Sequence, residues 1–363
     1  MRQQLLRRWL RWRRLRRVRL VRYGLGWRAE LGAGILANLD RVDVVEVMAE
    51  ELFDADRGKR RALQFLRSHV PVVLHATSLG LASTEAVDAR RLDAVARVID
   101  WLQPEVWSEH LAFVRAGGAE VGHLAAPPRN DATLAGLVRN VETARRATGS
   151  LPCLENVASL VEPPLSTYGE GAWLHAVVRA TGCELLLDLH NLHANATNFG
   201  FDAAAVVRSL PAPRLIHLAG GRRIERNRLL DDHLHAVPPE VYELLAVVDA
   251  PEAMVILERD GNYPAIDELV GELDRARAVR HRASGAGLPG CAAEPATSPG
   301  RPMPDAIPFL ATLYTNDAAR ARFTADPQRE AALAGLPAEV AELDLDDLRV
   351  AAHSFAHKRE RQS

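Results

Sequence analysis

Short hydrophobic runs alternate with longer amphipathic stretches from residue 21 to about residue 280. The runs are rich in Val, Ile and Leu, which is typical of buried strands, and the stretches between them carry Ala, Arg and Glu at helical spacing. The predicted strands are 21–27, 42–48, 70–76, 104–111, 151–158, 184–191, 214–220 and 253–260. The predicted helices are 28–39, 58–68, 84–102, 131–147, 170–180, 237–249 and 264–280. Eight strands that alternate with helices predict an α/β fold, a TIM (β/α)8 barrel.

A doubly wound open sheet is the alternative, because it also alternates strands with helices. A dinucleotide-binding sheet of that kind carries G-x-G-x-x-G after its first strand, whereas the first run here continues as GLGWRAEL. The spacing of the glycines is wrong for that fingerprint, so the barrel is the favoured prediction.

The chain changes character outside this region. Residues 281–306 are rich in Gly, Pro, Ala and Ser and predict a flexible linker. Residues 307–363 return to helical spacing and predict a small C-terminal all-helical domain. Residues 1–20 form a basic arm, which we interpret as disordered or as an over-extended start; the other interpretation is an amphipathic helix on anionic lipid or nucleic acid.

Charge and cysteine content narrow the class of protein. Residues 1–22 hold ten arginines and no acid, so the remaining 35 basic and 47 acidic side chains leave a body with a net charge of −12. An acidic body argues against a broad nucleic-acid surface. The sequence has no run of about 18 apolar residues, so no membrane span is predicted. Three widely spaced cysteines exclude a disulfide scaffold and favour the cytoplasm.

Ionisable side chains occur where the predicted strands end. They are His75, Glu109, His110, Glu155, Asp188, His217 and Glu258, joined by Asp231 and His233 in the loop after the seventh strand. In a barrel all these strand ends lie on the carboxyl-terminal face, where active sites are built. Because unpaired buried carboxylates and imidazoles are costly, their convergence predicts that cations neutralise them.

The candidate ligands are more than one metal ion can bind. They are the imidazoles of His75, His110, His217 and His233 and the carboxylates of Glu155, Asp188, Asp231 and Glu258, with Asn191 as an additional candidate. Two or three ions bridged by carboxylates would use them fully. Nitrogen and oxygen ligands without thiolate suit Fe, Mn or Zn better than Ca, Mg or Cu(I), and the residues alone do not separate iron from zinc.

Other polar residues near the strand ends receive weaker assignments. His190 and His193 lie in DLHNLHANATN, which we predict to be a polar loop. Arg28 and Glu46 end the first two strands and are expected to orient substrate or to pair with each other. Cys153 lies one layer deeper on the fifth strand and is predicted to be a small core residue.

Seven motifs follow one another in a fixed order between residue 21 and about residue 280: VVLHATSLGLAS, WSEHLAF, LENVASL, LLLDLHNLHANATN, IHLAGG, LDDHLHAV and ILERDGNYP. Together they resemble the multinuclear non-heme iron-dependent oxidative enzymes, also called domain of unknown function 692. The resemblance implies a TIM barrel of the xylose isomerase-like type. It also implies two or three iron ions, mixed Fe(II)/Fe(III), at positions matching His75, His110, Glu155, Asp188, Asn191, His217, Asp231, His233 and Glu258.

The activity that the resemblance implies is iron- and O2-dependent oxidation of cysteine residues in a ribosomally synthesised precursor peptide. Members of the family commonly act with a small partner protein, a role that residues 307–363 could fill within this chain. A divalent-metal hydrolase or isomerase on the same barrel is the alternative function. Two positions depart from the family pattern: Gly221 stands where HLAGH usually places a histidine, and Glu50–Glu51 stands where E-N is usual.

Overall fold

The computed structural model describes residues 21–283 and 304–362. The strands in these residues are β1 (Tyr23–Gly26), β2 (Val44–Met48), β3 (Val72–His75), β4 (Val106–His110), β5 (Phe113–Ala116), β6 (Ala119–Ala125), β7 (Cys153–Glu155), β8 (Leu185–Asp188), β9 (Leu215–Leu218), β10 (Arg222–Arg223), β11 (Leu229–Leu230) and β12 (Met254–Leu257). Eight of them form a closed parallel barrel in the order β1-β12-β9-β8-β7-β4-β3-β2. Because β1 pairs with both β2 and β12, the sheet closes on itself. The predicted barrel is confirmed, and the open sheet is excluded.

The whole predicted arm and most of the predicted linker lie outside the described residues. The basic arm, residues 1–20, is one such segment, and residues 284–303 of the predicted linker are the other. In the part of the chain that the structure describes, none of the helices combines the length and the apolar character that crossing a bilayer requires.

The barrel interior has an apolar lower layer and an ionisable upper layer. The lower layer consists of the buried side chains of Val44, Val73, Cys153, Leu186, Leu215, Met254 and Ile256. Side chains two residues apart point to the same side of a strand, so the next inward position lies one layer higher. Val73 leads to His75 in this way, and Cys153 leads to Glu155. The interpretation of Cys153 as a core residue is confirmed.

Helices α1 to α9 surround the barrel and cover the outward faces of its strands, and four further helices follow near the C-terminus. In chain order they are α1 (Gly32–Ala37), α2 (Arg57–His69), α3 (Ala89–Leu102), α4 (Asp131–Thr148), α5 (Glu170–Thr181), α6 (Leu189–Phe199), α7 (Ala203–Ser209), α8 (Pro239–Val247), α9 (Ile266–Ala283), α10 (Ile307–Thr315), α11 (Asp317–Ala325), α12 (Pro327–Leu333) and α13 (Leu345–Gln362). Each of the seven predicted helices between residues 28 and 280 has a counterpart among α1 to α9. Outward-facing strand residues such as Val45, Leu154 and Ile216 are buried beneath them in one large apolar cluster.

The segment DLHNLHANATN is helical, so its prediction as a polar loop was wrong. The carboxylate of Asp188 accepts the backbone N–H of Asn191 at 2.7 Å and thereby caps the first turn of α6. Leu189 and Leu192 are buried on the inner face of the helix. The capping residue and this short apolar face are sufficient for a helix, although Asn and His dominate its composition.

The C-terminal helices share a core with a hairpin at the ligand-bearing end of the barrel. β5 and β6 form this antiparallel hairpin directly after β4. Ile307 and Tyr314 of α10 are buried in one apolar cluster with Phe113 and Val121 of the hairpin. The rings of Phe113 and Tyr314 stack with their centroids 6.5 Å apart. The predicted helical character of this region is confirmed, and its helices α10–α13, with the adjoining residues from 304, are called the C-terminal unit below.

Candidate metal centre

A cavity of about 750 Å³ opens at the carboxyl ends of the barrel strands. Its lining includes His75, His110, Asn191, Asp231, His233 and Glu258. The three other predicted ligands, Glu155, Asp188 and His217, are completely buried beside them. All nine side chains therefore converge on one end of the barrel, as the positions of the strand ends predicted.

His75, His110 and Glu155 form the first group of potential ligands, which we call group one. Glu155 Oε2 lies 3.4 Å from His75 Nε2 and 3.2 Å from His110 Nε2. The far side of each ring is also held: His75 Nδ1 lies 2.8 Å from Ser108 Oγ, and His110 Nδ1 lies 3.3 Å from the Ala76 carbonyl oxygen. Such contacts fix the orientation of an imidazole, so that both Nε2 atoms face the shared carboxylate.

Glu155, Asp188, His217 and Glu258 form group two. His217 Nδ1 lies 3.4 Å from Glu155 Oε1 and 3.2 Å from Glu258 Oε2. The other nitrogen of this ring, Nε2, lies 3.1 Å from Glu46 Oε2. Since one oxygen of Glu155 faces group one and the other faces group two, this carboxylate bridges the two groups.

His190, Asp231 and His233 form group three. Asp231 Oδ1 lies 2.7 Å from His190 Nδ1 and 2.9 Å from His233 Nε2. Group three also approaches group two, because His233 Nε2 lies 3.7 Å from Asp188 Oδ2 and His233 Nδ1 lies 3.1 Å from Glu258 Oε2. The three groups are thus parts of one continuous cluster.

Several potential ligand atoms in this cluster are orphaned. Among the described residues, Asn191 Oδ1, His190 Nε2 and Asp188 Oδ2 are buried without a hydrogen-bond partner. Both carboxylate oxygens of Glu155, His217 Nδ1 and His233 Nε2 make the ion-pair contacts given above, but none of these contacts is aligned as a hydrogen bond. Each buried polar group left unsatisfied costs about 1–3 kcal/mol, and folded proteins contain few of them. Cations bound between these atoms would satisfy them. The donor set therefore fits a multinuclear centre with nitrogen and oxygen ligands.

Burial and mutual charge shift the pKa values of the cluster in opposite directions. Burial, together with the charge of the neighbouring His110, lowers the pKa of His75 to about 3, so His75 is neutral at pH 7. Burial would also lower the pKa of His110, but the carboxylates of Glu155 and Glu109 outweigh it and raise that pKa to about 9. Burial raises the pKa of Asp188 to about 7. Neutral imidazole is the form that binds a metal, so His75 needs no deprotonation to act as a ligand.

Comparison with known proteins decides the family. Residues 22–281 match the family described as RiPP precursor modification enzyme MbnB/TglH/ChrH, where RiPP denotes a ribosomally synthesised and post-translationally modified peptide. The chain belongs to this family. The match covers the whole barrel and every residue of groups one to three.

Curated relatives carry the name UPF0276 protein. One from Streptomyces avermitilis is 37% identical over 273 residues, which is 72% of this chain and 55% of the relative. The chain therefore matches little more than half the length of that protein. One from Rhizorhabdus wittichii is 34% identical over 242 residues, which is 65% of this chain and 86% of the relative.

Solved structures with a similar fold are more distant. Endonuclease IV from Thermus thermophilus is 17% identical, with a TM-score of 0.48 over 72% of this chain and 99% of that chain. A D-psicose 3-epimerase crystallised in the presence of D-fructose is 14% identical, with a TM-score of 0.44 over 73% of this chain and 97% of that chain.

Two members of the cluster were not predicted as ligands. Glu46 is 1% exposed and contacts His217, and Arg28 forms an ion pair with Asp260. Of the two roles expected for Arg28 and Glu46, pairing with each other is therefore wrong, and orienting substrate stays a prediction. Glu46 follows the lower-layer residue Val44 by two positions, and this is the signal that could have identified it. His190 is completely buried in the first turn of α6, a position that becomes evident only once the helix is recognised.

Gly221 lies against group three. A Cβ atom on this residue would lie 2.1 Å from the Leu230 carbonyl oxygen and 2.6 Å from Cε1 of His190. A side chain at position 221 therefore cannot coexist with the observed His190 ring and with the close approach of β11. The His190 imidazole thus lies where a side chain at position 221 would need to be.

A second cavity, of about 590 Å³, adjoins the mouth of the barrel. It shares Asp231 and Leu234 with the first cavity, and its opposite wall is formed by Val350 and His353 of α13. The C-terminal unit thus borders the approach to group three.

Proposed function

We propose that this protein is an iron- and O2-dependent oxidase that modifies cysteine residues of a ribosomally synthesised precursor peptide in the cytoplasm. The observation that carries the proposal is the buried cluster of imidazoles and carboxylates with its orphaned ligand atoms, at the mouth of a barrel that belongs to a family of precursor-modification enzymes. Imidazole together with carboxylate is a donor set that suits iron.

The cluster offers two or three positions for iron. Group one would hold one ion, group two a second, and group three, together with Asn191, a third. Bound iron would supply a Lewis acid that binds a thiolate, together with the electrons that reduce O2. Because Glu155 belongs to groups one and two, its carboxylate would link their two ions.

Residues outside the three groups support this centre. Ser108, Glu46 and the Ala76 carbonyl hold the rings of three histidines, so that their ligand nitrogens face inward. The apolar lower layer closes the barrel beneath the ligands and keeps bulk water from reaching them there. The reacting cysteine must therefore enter from the mouth, where a cavity of about 750 Å³ has room for a short peptide segment.

Polar groups at the mouth are placed to orient a peptide. Ser78 lines this cavity, and its hydroxyl is among the buried oxygens that lack a partner within the described residues. Arg28 lines the same cavity and is fixed by its ion pair with Asp260. A peptide carboxylate or backbone carbonyl entering the mouth would accept a hydrogen bond from Arg28, which would hold the cysteine against the ligand cluster.

Oxygen consumption tests the proposed reaction. The protein, purified and loaded with Fe(II) without air, would be mixed with cysteine-containing peptides encoded by short reading frames beside its gene. We expect O2 uptake that depends on the peptide and a mass change confined to the cysteine residue. The matched control replaces that cysteine by serine and should abolish both signals. Turnover that proceeds without O2 would instead favour the hydrolase or isomerase alternative.

A further inference from the structure

Two of the three members of group three, Asp231 and His233, directly follow a short hairpin. β10 (Arg222–Arg223) and β11 (Leu229–Leu230) pair in an antiparallel manner, and Asp231 follows β11 directly. Two-stranded hairpins are marginally stable by themselves. The backbone of His233 also has a φ angle of +54°, a left-handed conformation that a non-glycine residue keeps only where its surroundings impose it. Something outside the hairpin must therefore hold Asp231 and His233 in place.

Helix α13 of the C-terminal unit provides one anchor. Arg228, at the end of the hairpin turn, forms an ion pair with Asp347 in the first turn of α13. Arg226 lies 2.6 and 2.8 Å from the two carboxylate oxygens of Asp344, which precedes this helix, and 3.4 Å from Asp347. The carboxylate of Asp347 is only 3% exposed. A carboxylate so deeply buried is costly unless it is paired, so the contact with Arg228 is strongly favoured.

Arg228 also connects the hairpin to α6. Its guanidinium donates to the backbone carbonyl of Asn198 on that helix. The Asn198 side chain in turn accepts the N–H of Leu229 at 2.8 Å and donates to the carbonyl of Leu229 at 3.1 Å. Since α6 carries His190 and Asn191 in its first turn, one arginine ties together the C-terminal unit, the hairpin and the helix that completes group three.

Apolar contacts reinforce these ion pairs. Ile224 and Leu230 of the hairpin pack against the buried cluster that α10 to α13 form with β5 and β6. The hairpin is consequently held between α6 on one side and the C-terminal unit on the other.

We propose that the C-terminal unit is a positioning element of the metal centre, with Arg228 and Asp347 as the positioning residues that hold Asp231 and His233 in group three. This inference rests on the proposed function, because it assumes that group three binds a metal ion. It assigns the C-terminal unit a role inside the barrel, in the binding of the ion at group three, that is independent of any contact with the peptide.

The test compares two neighbouring aspartates of α13. Asp347→Asn removes the buried charge that pairs with Arg228, whereas Asp346→Asn changes an aspartate whose carboxylate is 66% exposed and 3.8 Å from Arg226. The full-length variants would be titrated anaerobically with Fe(II), and bound iron would be counted and examined by Mössbauer spectroscopy. Circular dichroism would establish that each variant is folded, and Arg228→Gln is the second variant if Asp347→Asn is not.

We expect wild-type protein and Asp346→Asn to bind three ions, and Asp347→Asn to bind its third ion about 10- to 100-fold more weakly, as for the loss of an outer-shell contact. The Mössbauer signal of the third ion should weaken, while those of the other two stay unchanged. Tight binding of all three ions by Asp347→Asn, or by Arg228→Gln where Asp347→Asn does not fold, would overturn this inference alone. A wild-type protein with two ions would also overturn it and leave the proposed function intact, whereas one with a single ion or none would overturn both.

Discussion

Glu155 is the side chain that groups one and two share, because its two oxygens face different histidines. We expect Glu155→Gln to lose at least one bound ion and to weaken metal binding by more than the ~10- to 100-fold typical of an outer-shell contact. Glu109→Gln is the matched control on the neighbouring strand. Its carboxylate accepts the N–H groups of Leu79 and His110 and belongs to none of the three groups. Equal loss of metal in both variants, measured by metal analysis, would show that the wrong strand face has been assigned.

The two barrel cysteines are expected to be chemically inert. Burial raises the pKa of Cys153 to about 12 and that of Cys183 to about 11, so both remain protonated thiols at pH 8. Only the thiolate reacts rapidly with alkylating reagents. Mass spectrometry after treatment with iodoacetamide should find both residues unmodified in native protein and alkylated in denaturant. Rapid labelling of Cys153 in the native state would contradict the packing of the lower layer, and rapid labelling of Cys183 would contradict its burial in the large apolar cluster around the barrel.

At the level of single residues, the sequence was sufficient wherever a strand end coincided with an ionisable side chain. His75, His110, Glu155, Asp188, His217 and Glu258 were located by this rule, and the structure brings them together. Glu46 follows the same rule, but it was expected to orient substrate or to pair with Arg28 and was not counted among the ligands. The role of His190 was not predicted, because it lies in α6, whose Asn- and His-rich sequence was interpreted as a loop.

Position 221, directly before the hairpin β10–β11, requires glycine. In Gly221→Ala, the added Cβ would meet the Leu230 carbonyl oxygen at 2.1 Å, and backbone can move only at a cost. We expect the free energy of unfolding to fall by about 1–3 kcal/mol, as in other overpacked sites, and group three to bind metal more weakly. Thermal denaturation and metal titration would measure the two effects.

Gly271→Ala in α9 is the control for this prediction. A Cβ there has no atom within 4 Å among the described residues, so the change should stabilise the helix by about 1 kcal/mol. If both glycine variants were equally stable and bound metal equally well, the close approach of β11 and His190 to position 221 would be disproved.

Elements with strong hydrophobic patterns were predictable, and short polar ones were not. The eight barrel strands and seven surrounding helices were identified because each has a buried face. The strands β10 and β11 have two residues each, too few to show alternation. The hairpin β5–β6 was not predicted as a separate element. Its buried face packs against the C-terminal unit, which lies about 200 residues away along the chain.

For the whole molecule, the distribution of ligands predicts that the basic arm is dispensable for metal binding. All nine predicted ligands lie between His75 and Glu258, and residues 1–20 precede the first strand. Protein that lacks residues 1–20 should keep the iron content and the peptide-dependent O2 uptake of the full chain. A truncated protein that folds, as judged by circular dichroism, but loses its iron would give the arm a role in the centre.

The central claim is that one buried cluster at the mouth of the barrel holds several iron ions. The most direct measurement is the ratio of iron to protein in anaerobically purified material, determined by metal analysis together with Mössbauer spectroscopy. Orphaned atoms in three adjoining groups predict at least two iron ions per chain, with spectra showing magnetic coupling through the shared carboxylate of Glu155. A single zinc ion and no iron would contradict the claim.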